Sequence, residues 1–137
     1  MVRVTDICLT RCQAHSFGRN GDLAAYESLL LSVGEYFSQD LDNSHLDQKL
    51  HMTNQPPIYF QHQGHSLTIV GLEVRTSGSI NLIVFDPMFH PSPAIQKLVG
   101  SSSFHSPRPD KLLRAHRRGP TYLSKYREYE LLTVAEK

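Results

Sequence analysis

The sequence predicts an α+β domain with a central antiparallel sheet and flanking helices. Apolar residues recur every three or four positions across residues 23–37, the pattern of one face of an amphipathic helix. Two segments rich in branched apolar residues, 65–74 and 80–85, are separated only by the turn-forming sequence RTSGS. A further segment of this kind lies at 126–135. Because strands joined by a short turn pair antiparallel, these observations favour an antiparallel sheet.

The first elements are a short strand and the helix. Residues 2–7, VRVTDI, alternate and carry β-branched side chains, so we expect a strand there. Asp22 is a suitable N-cap for the helix that follows. The predicted buried face of this helix consists of Leu23, Tyr26, Leu30, Val33 and Phe37. Residues 38–55 are polar and rich in Asn, Asp and Gln, which predicts a flexible loop.

The second half supplies most of the sheet. A strand is expected at 58–63 after two prolines, followed by the hairpin of 65–74 and 80–85. The apolar residues of this hairpin that we expect only in the core are Leu67, Ile69, Leu82 and Val84. A short helix is predicted at 94–99. Residues 100–120 are rich in Ser, Pro and Arg and predict a second flexible loop.

Composition and charge narrow the class of protein. A chain of 137 residues with 39% hydrophobic and 20% charged residues is typical of one globular domain. The net charge of +1, without a basic field, argues against nucleic acid as a partner, and no apolar run is long enough for a membrane helix. Two cysteines cannot form a disulfide framework, so a reducing setting in the cytoplasm, the nucleus or both is expected. No cofactor is expected.

The hairpin brings two polar residues toward each other. His65 begins one strand and Asp86 follows the other, at similar separations from the turn. A carboxylate that holds an imidazole fixes its tautomer and stabilises the imidazolium, which is what general-base catalysis needs. The same spacing is compatible with a structural role, in which His65 satisfies a strand-end hydrogen bond and Asp86 caps a turn. Spacing alone leaves both interpretations open.

The block PPIYFQHQGHSLTIVGLE, followed by INLIVFDP, adds a family resemblance. It resembles the papain-like cysteine peptidase family of ubiquitin-fold-modifier-specific peptidases and zinc-finger-containing ubiquitin peptidases. VRVTD, VGEYF and YELLTV resemble further strands and a helix end of that family. The resemblance implies a papain-like fold in which His65 is the general base and Asp86 orients it. It also makes Gln61 a candidate oxyanion donor, a role that suits a side-chain amide.

The order of the site residues distinguishes two branches of that family. Modifier-specific members place the catalytic histidine directly after Asp-Pro, whereas here Met88 follows Asp86-Pro87 and the histidine lies upstream. This order resembles the ubiquitin-directed branch. The implied partner is ubiquitin or a ubiquitin chain, with another ubiquitin-like modifier as second choice.

The family nucleophile has no match in this chain. It lies in a Cys-Gly-aromatic-Arg-Asn motif at a helix start, where the helix N-terminus helps to stabilise the thiolate. Neither Cys8 nor Cys12 is followed by that motif, and FGRN at 17–20 lacks the preceding cysteine. Residues 1–137 are therefore expected to be the C-terminal part of a catalytic domain, inactive in isolation. The alternative is a catalytically inactive ubiquitin-binding or regulatory fragment.

The remaining polar residues are expected to have no special chemistry. Cys8, Cys12 and His15 lack the second ligand pair of a zinc site, so no metal is expected. His62 is expected to be a solvated strand residue beside the site, with contact to the substrate as the alternative. The histidines expected at the surface of loops are His45, His51, His90, His105 and His116. The basic residues expected in a solvated loop are Lys111, Arg114, Arg117 and Arg118.

Overall fold

Six antiparallel strands form one sheet in the computed structural model, which describes residues 11–19, 21–41, 48–103 and 105–135. The strands are β1 (Arg11–Phe17), β2 (Ile58–His62), β3 (His65–Val74), β4 (Ile80–Phe85), β5 (Arg117–Arg118) and β6 (Tyr129–Ala135). Their order across the sheet is β1-β6-β2-β3-β4-β5. The predicted α+β class is confirmed. The strand expected at 2–7 lies outside the described residues.

Four short or medium helices accompany the sheet within the described residues. They are α1 (Ala25–Ser38), α2 (Pro93–Gln96), α3 (Pro109–Leu113) and α4 (Pro120–Leu123), and a 3₁₀ turn follows α3 at Arg114–His116. The helix expected at 94–99 is thus shorter and begins one residue earlier. Among the described parts of the chain, no helix combines the length and the apolar character needed to cross a membrane.

Helix α1 covers one face of the sheet. Its N-cap is Ala24 rather than the predicted Asp22, and the Glu27 carboxylate accepts the backbone N–H of Ala24 at 2.9 Å. Leu23 therefore precedes the helix and is 43% exposed, contrary to the predicted buried face. The residues of α1 that are buried are Ala25, Leu29, Leu30, Val33 and Phe37. They pack on the strands in the middle of the sheet, where the core lies.

The inner face of β2, β3, β4 and β6 supplies the rest of the core. The four hairpin residues predicted to be core, Leu67, Ile69, Leu82 and Val84, are all buried, which confirms that prediction. Phe60 of β2 is fully buried and stacks on Tyr129 of β6, with ring centroids 5.7 Å apart. Side chains alternate between the two faces of a strand, so the neighbours of these residues point to the outer face.

Two tight turns set the register of the central strands. Gly64 adopts φ = +73°, a left-handed conformation that glycine accepts readily, and the two-residue turn places His62 opposite His65. The turn between β3 and β4 is closed by the Arg75 N–H, which donates to the Ser79 carbonyl at 2.9 Å. At the far end of this hairpin Thr68 lies opposite Phe85.

The C-terminal third is more ordered than the sequence suggests. Residues 100–120 were expected to be a loop, but α3, the 3₁₀ turn and β5 lie within that range. The physical reason is an ion pair rather than a hydrophobic pattern: the Arg117 guanidinium donates two hydrogen bonds of 2.8 Å to the Glu73 carboxylate. At Gly119 an added Cβ would lie 2.5 Å from Asn81 Oδ1, so the chain passes close to β4 there. The described residues of 39–55 form no helix or strand.

Candidate active site

His65 and Asp86 are in direct contact. The His65 Nε2 lies 2.9 Å from the Asp86 Oδ2, which confirms the contact that the hairpin predicts. Continuing the register from Thr68 and Phe85 places Asp86 opposite Leu67, so its carboxylate reaches diagonally to His65 on the same face. The other carboxylate oxygen, Oδ1, accepts the Met88 N–H at 2.9 Å. The carboxylate is thereby held at both oxygens.

Arg118 is a third member of this cluster, which the sequence did not predict. Its Nη2 donates to Asp86 Oδ2 at 2.9 Å, the same oxygen that contacts His65. The expectation that Arg118 lies in a solvated loop is wrong, because β5 pairs with β4 and leaves its side chain only 13% exposed. No local sequence pattern marks a strand of two residues, so the signal was absent from the sequence.

The charges of the cluster determine which nitrogen of His65 carries the proton. Burial alone would raise the pKa of Asp86, but hydrogen bonds from His65, the Met88 N–H and Arg118 outweigh burial and hold that pKa below its ordinary value. Asp86 is therefore ionised at neutral pH and can only accept hydrogen bonds. It follows that Nε2 of His65 donates, which leaves Nδ1 of the neutral ring as an acceptor.

His62 is buried next to this cluster, contrary to the expected solvated position. It is 4% exposed, its ring stacks on Tyr126 at 3.8 Å, and its Nε2 lies 2.6 Å from the Tyr122 hydroxyl. Its ring centroid is 5.7 Å from that of His65. The alternation of Ile58, Phe60 and His62 on one face of β2 was the signal that could have revealed this burial.

The burial of His62 predicts a loss of stability in mild acid. Desolvation lowers the pKa of His62, and the nearby His65 and Arg118 lower it further. The unfolded chain therefore takes up the proton first as the pH falls below about 6.5. We expect the free energy of unfolding, measured by urea denaturation at several pH values, to decrease from pH 7 to pH 5 until the folded-state pKa is passed.

Two variants test the assignment of this acid sensitivity. His62→Phe keeps an aromatic ring in the cluster and is expected to flatten the dependence of stability on pH. His15→Gln, at an exposed position of β1, is expected to leave that dependence unchanged. An equally steep dependence in the His62→Phe variant would assign the effect to other groups.

His116 also contacts the sheet instead of lying free at the surface of a loop, as was expected. Its Nδ1 lies 3.1 Å from the Val84 carbonyl oxygen, and its ring makes edge-to-face contacts with Phe85 and Phe89 at 5.8 and 5.3 Å. These contacts join the 3₁₀ turn to the end of β4, immediately before Asp86. The turn that precedes Arg118 is therefore attached to the same strand as the carboxylate.

Gln61 lies apart from the His65–Asp86 pair. It is opposite Ser66 and Glu130, one residue out of phase with the pair His62 and His65, so its side chain is on the outer face of the sheet. There its Oε1 lies 3.3 Å from the Tyr59 hydroxyl, which donates to it. The structure thus brings His65 and Asp86 together but does not bring the Gln61 amide to them.

The comparison with known proteins places this chain in a family. The family model described as "Peptidase family C78" matches residues 2–132. The chain belongs to peptidase family C78. Its curated relatives include proteins named "Zinc finger-containing ubiquitin peptidase 1" from Mus musculus and Bos taurus, each 37% identical over 90 residues, and from Homo sapiens, 34% identical over 90 residues. Each alignment covers 65% of this chain and 15% of the relative, so the chain spans a small part of their length.

The described cysteine of this C78 family member is remote from His65. Cys12 is an exposed residue of β1, opposite Val134, whereas His65 lies at the end of the sheet marked by Phe17 and Tyr129. Cys12 and His65 are separated by three strand spacings across the sheet and by five residues along the strands. The corresponding straight-line distance is about 20 Å. Cys12 therefore does not face His65, and Cys8 lies outside the described residues. Within the described parts, no three His, Cys, Asp or Glu side chains are grouped as metal ligands.

Proposed function

We propose that this chain supplies the base and the orienting carboxylate of a cysteine peptidase that cleaves isopeptide or peptide bonds to ubiquitin or a ubiquitin-like modifier. The observation that carries the proposal is the 2.9 Å contact between His65 and Asp86, inside a domain of peptidase family C78. The names of the curated relatives support ubiquitin as the modifier.

The proposed mechanism uses His65 as a proton carrier. Its Nε2–H is fixed by Asp86, so Nδ1 is the nitrogen that takes the proton from a cysteine thiol. The thiolate attacks the carbonyl carbon of the scissile bond, and the imidazolium then gives its proton to the leaving amine. Water, deprotonated by the same nitrogen, hydrolyses the resulting thioester. The Asp86 carboxylate stabilises the imidazolium through both transfers.

The oxyanion of each tetrahedral intermediate needs a hydrogen-bond donor near His65. Gln61 fills this proposed role only if the end of β2 rotates, because its amide lies on the outer face of the sheet. A backbone N–H beside the nucleophile is the alternative donor.

We propose that the nucleophile is a cysteine upstream of this chain. The distance of about 20 Å between Cys12 and His65 supports this, since a thiol that passes its proton to an imidazole must lie within hydrogen-bond reach. On this proposal the 137-residue chain is inactive by itself. The order of His65, Asp86 and Met88 supports ubiquitin or a ubiquitin chain as the substrate, and the proposed setting is the cytoplasm, the nucleus or both.

Labelling with a ubiquitin-based electrophilic probe tests the proposal, with di-ubiquitin cleavage as a second readout. The chain alone is expected to show neither reaction, because an imidazole without a nucleophile catalyses almost nothing. A longer product of the same gene that includes a Cys-Gly-aromatic-Arg-Asn motif is expected to show both.

Cysteine variants make the result specific. If the short chain is labelled and Cys8→Ser abolishes the labelling, Cys8 is the nucleophile and the upstream assignment is contradicted. Labelling abolished by Cys12→Ser would contradict the described position of that residue. A longer product that binds ubiquitin but neither labels nor cleaves would favour the ubiquitin-binding or regulatory function instead.

A further inference from the structure

We propose that Arg118 is a positioning residue for His65: it fixes the Asp86 carboxylate so that the imidazole is held in one orientation and in the tautomer with Nε2 protonated. The structural part of this inference concerns the chain itself, and only its catalytic consequence rests on the function proposed above. It adds to the His–Asp pair a member contributed by the segment after α3.

The Asp86 carboxylate is held by three hydrogen bonds. Arg118 Nη2 and His65 Nε2 both lie 2.9 Å from Oδ2, and the Met88 N–H occupies Oδ1 at 2.9 Å. A carboxylate that accepts three hydrogen bonds from three directions cannot rotate without breaking at least one of them. If Arg118 were absent, Oδ2 would be held by His65 alone, and the pair could turn together.

Arg118 is itself held in place by several contacts. Its Nη1 donates to the carbonyl oxygens of Ala115 and Arg117 at 2.8 and 3.0 Å, and its guanidinium lies over the Tyr122 ring, 5.1 Å from the centroid. Backbone pairing of Arg118 with Leu82 fixes the start of the side chain. A guanidinium with these contacts is preorganised, so it loses little rotamer entropy when it binds a carboxylate.

The positive charge of Arg118 balances the negative charge of Asp86. The cluster contains the Arg118 cation, the Asp86 anion and the His65 imidazole, which is neutral in its resting state on the proposed mechanism. Arg118 and Asp86 are each almost 90% buried, with 13% and 12% of their side chains exposed. An ionised carboxylate in such surroundings is stable only when it is paired and hydrogen-bonded, and Arg118 is the permanent cation among its partners.

Arg117 offers a matched control for a purely structural role. It precedes Arg118 in β5, its side chain is also 13% exposed, and it forms a bidentate ion pair with Glu73. Arg117↔Ile83 and Arg118↔Leu82 are consecutive pairs, so the two side chains leave opposite faces of the sheet. Loss of either arginine removes one positive charge and the ion pairs of that side chain from β5, but only Arg118 contacts Asp86.

The test is long-range ¹H–¹⁵N NMR of the histidine ring nitrogens in the 137-residue chain at neutral pH. The unchanged chain is expected to show His65 as a single Nε2-protonated tautomer, with a slowly exchanging Nε2–H resonance. Arg118→Met is expected to give a mixture of tautomers and to lose that resonance. Arg117→Met is expected to keep both features, even if its thermal stability falls by a similar amount.

Conservative variants keep the test decisive if Arg118→Met does not fold. Arg118→Lys retains the charge but not the planar fork, and it is expected to give a spectrum between those of the unchanged chain and the Met variant. Wild-type spectra for Arg118→Met or Arg118→Lys would overturn the inference. The same loss of the single tautomer in Arg117→Met would also overturn it, because the effect would then be one of general stability.

The NMR readout needs no nucleophile and no substrate, so it can succeed where the proposed peptidase function fails. In a longer, active product, Arg118→Met is expected to lower kcat by roughly 10- to 100-fold with little change in KM. A decrease of this size is typical when a residue that orients another functional side chain through a hydrogen bond is lost. Arg117→Met is expected to change kcat by less than about twofold. A tautomer that changes without any loss of kcat would restrict the role of Arg118 to the resting structure and overturn its catalytic consequence.

Discussion

His65→Ala is expected to lower kcat/KM for ubiquitin-conjugate cleavage by an active, longer product on the order of 10⁵-fold. Residues of a nucleophile–base unit act together, so removing the base loses nearly all the catalysis that the unit provides. Asp86→Ala is expected to have a smaller effect, on the order of 10³-fold, because the imidazole remains but loses the partner that fixes its tautomer. The measurement is steady-state cleavage of di-ubiquitin, with probe labelling to confirm that the thiol is present.

A remote histidine provides the control for these variants. His15 is exposed in β1, opposite Leu131, and His15→Ala is expected to retain full activity. A longer product that labels with the probe and is indifferent to His65→Ala would reject the mechanism. If Asp86→Ala alone had no effect, His65 would remain the base, but its orientation would have to come from elsewhere.

Phe60→Ala is expected to reduce the free energy of unfolding by about 3–5 kcal/mol, the range for removing a buried aromatic ring. Phe60 is fully buried, and its ring lies between those of His62 and Tyr129, at centroid distances of 5.6 and 5.7 Å. A loss of this size is a large fraction of the roughly 5–15 kcal/mol that stabilises a typical domain. Urea denaturation of the chain is the measurement.

The neighbouring residue on β2 is the matched control. Tyr59 points to the outer face and is 45% exposed, so Tyr59→Ala removes an aromatic ring of similar size from the same strand. The expected loss is about 1 kcal/mol or less, because little apolar surface is uncovered and only the surface hydrogen bonds to Ser66 and Gln61 are lost. Equal losses for the two variants would contradict the assignment of the core to the Phe60 face.

Much of the fold follows from short-range patterns in the sequence. The strands β3 and β4 and the body of α1 were predicted because alternation and three-to-four spacing are visible within ten to fifteen residues. The start of α1 was misplaced because Asp22 is a good capping residue that the chain does not use. Strand β5 has only two residues and is held by ion pairs and a backbone ladder, so no periodicity could indicate it.

The candidate site was likewise only partly predictable from the sequence. The contact of His65 with Asp86 was predictable because one hairpin joins them, whereas Arg118 is separated from Asp86 by 32 positions. The burial of His62 could have been predicted from its phase with Phe60, but a histidine beside glutamines suggested a solvated strand end. The same phase argument places Gln61 on the outer face. Rules of alternation, applied to polar residues as strictly as to apolar ones, would have predicted both positions.

The pairing of β1 with β6 has a consequence for anything attached to this chain. Arg11 lies opposite Ala135, so the two ends of the described chain are neighbours, and six residue steps of β6 separate Ala135 from Tyr129 beside the candidate site. Those steps measure about 20 Å. A label attached beside Arg11 or Ala135 therefore starts about 20 Å along the sheet from the strand end that His65 occupies.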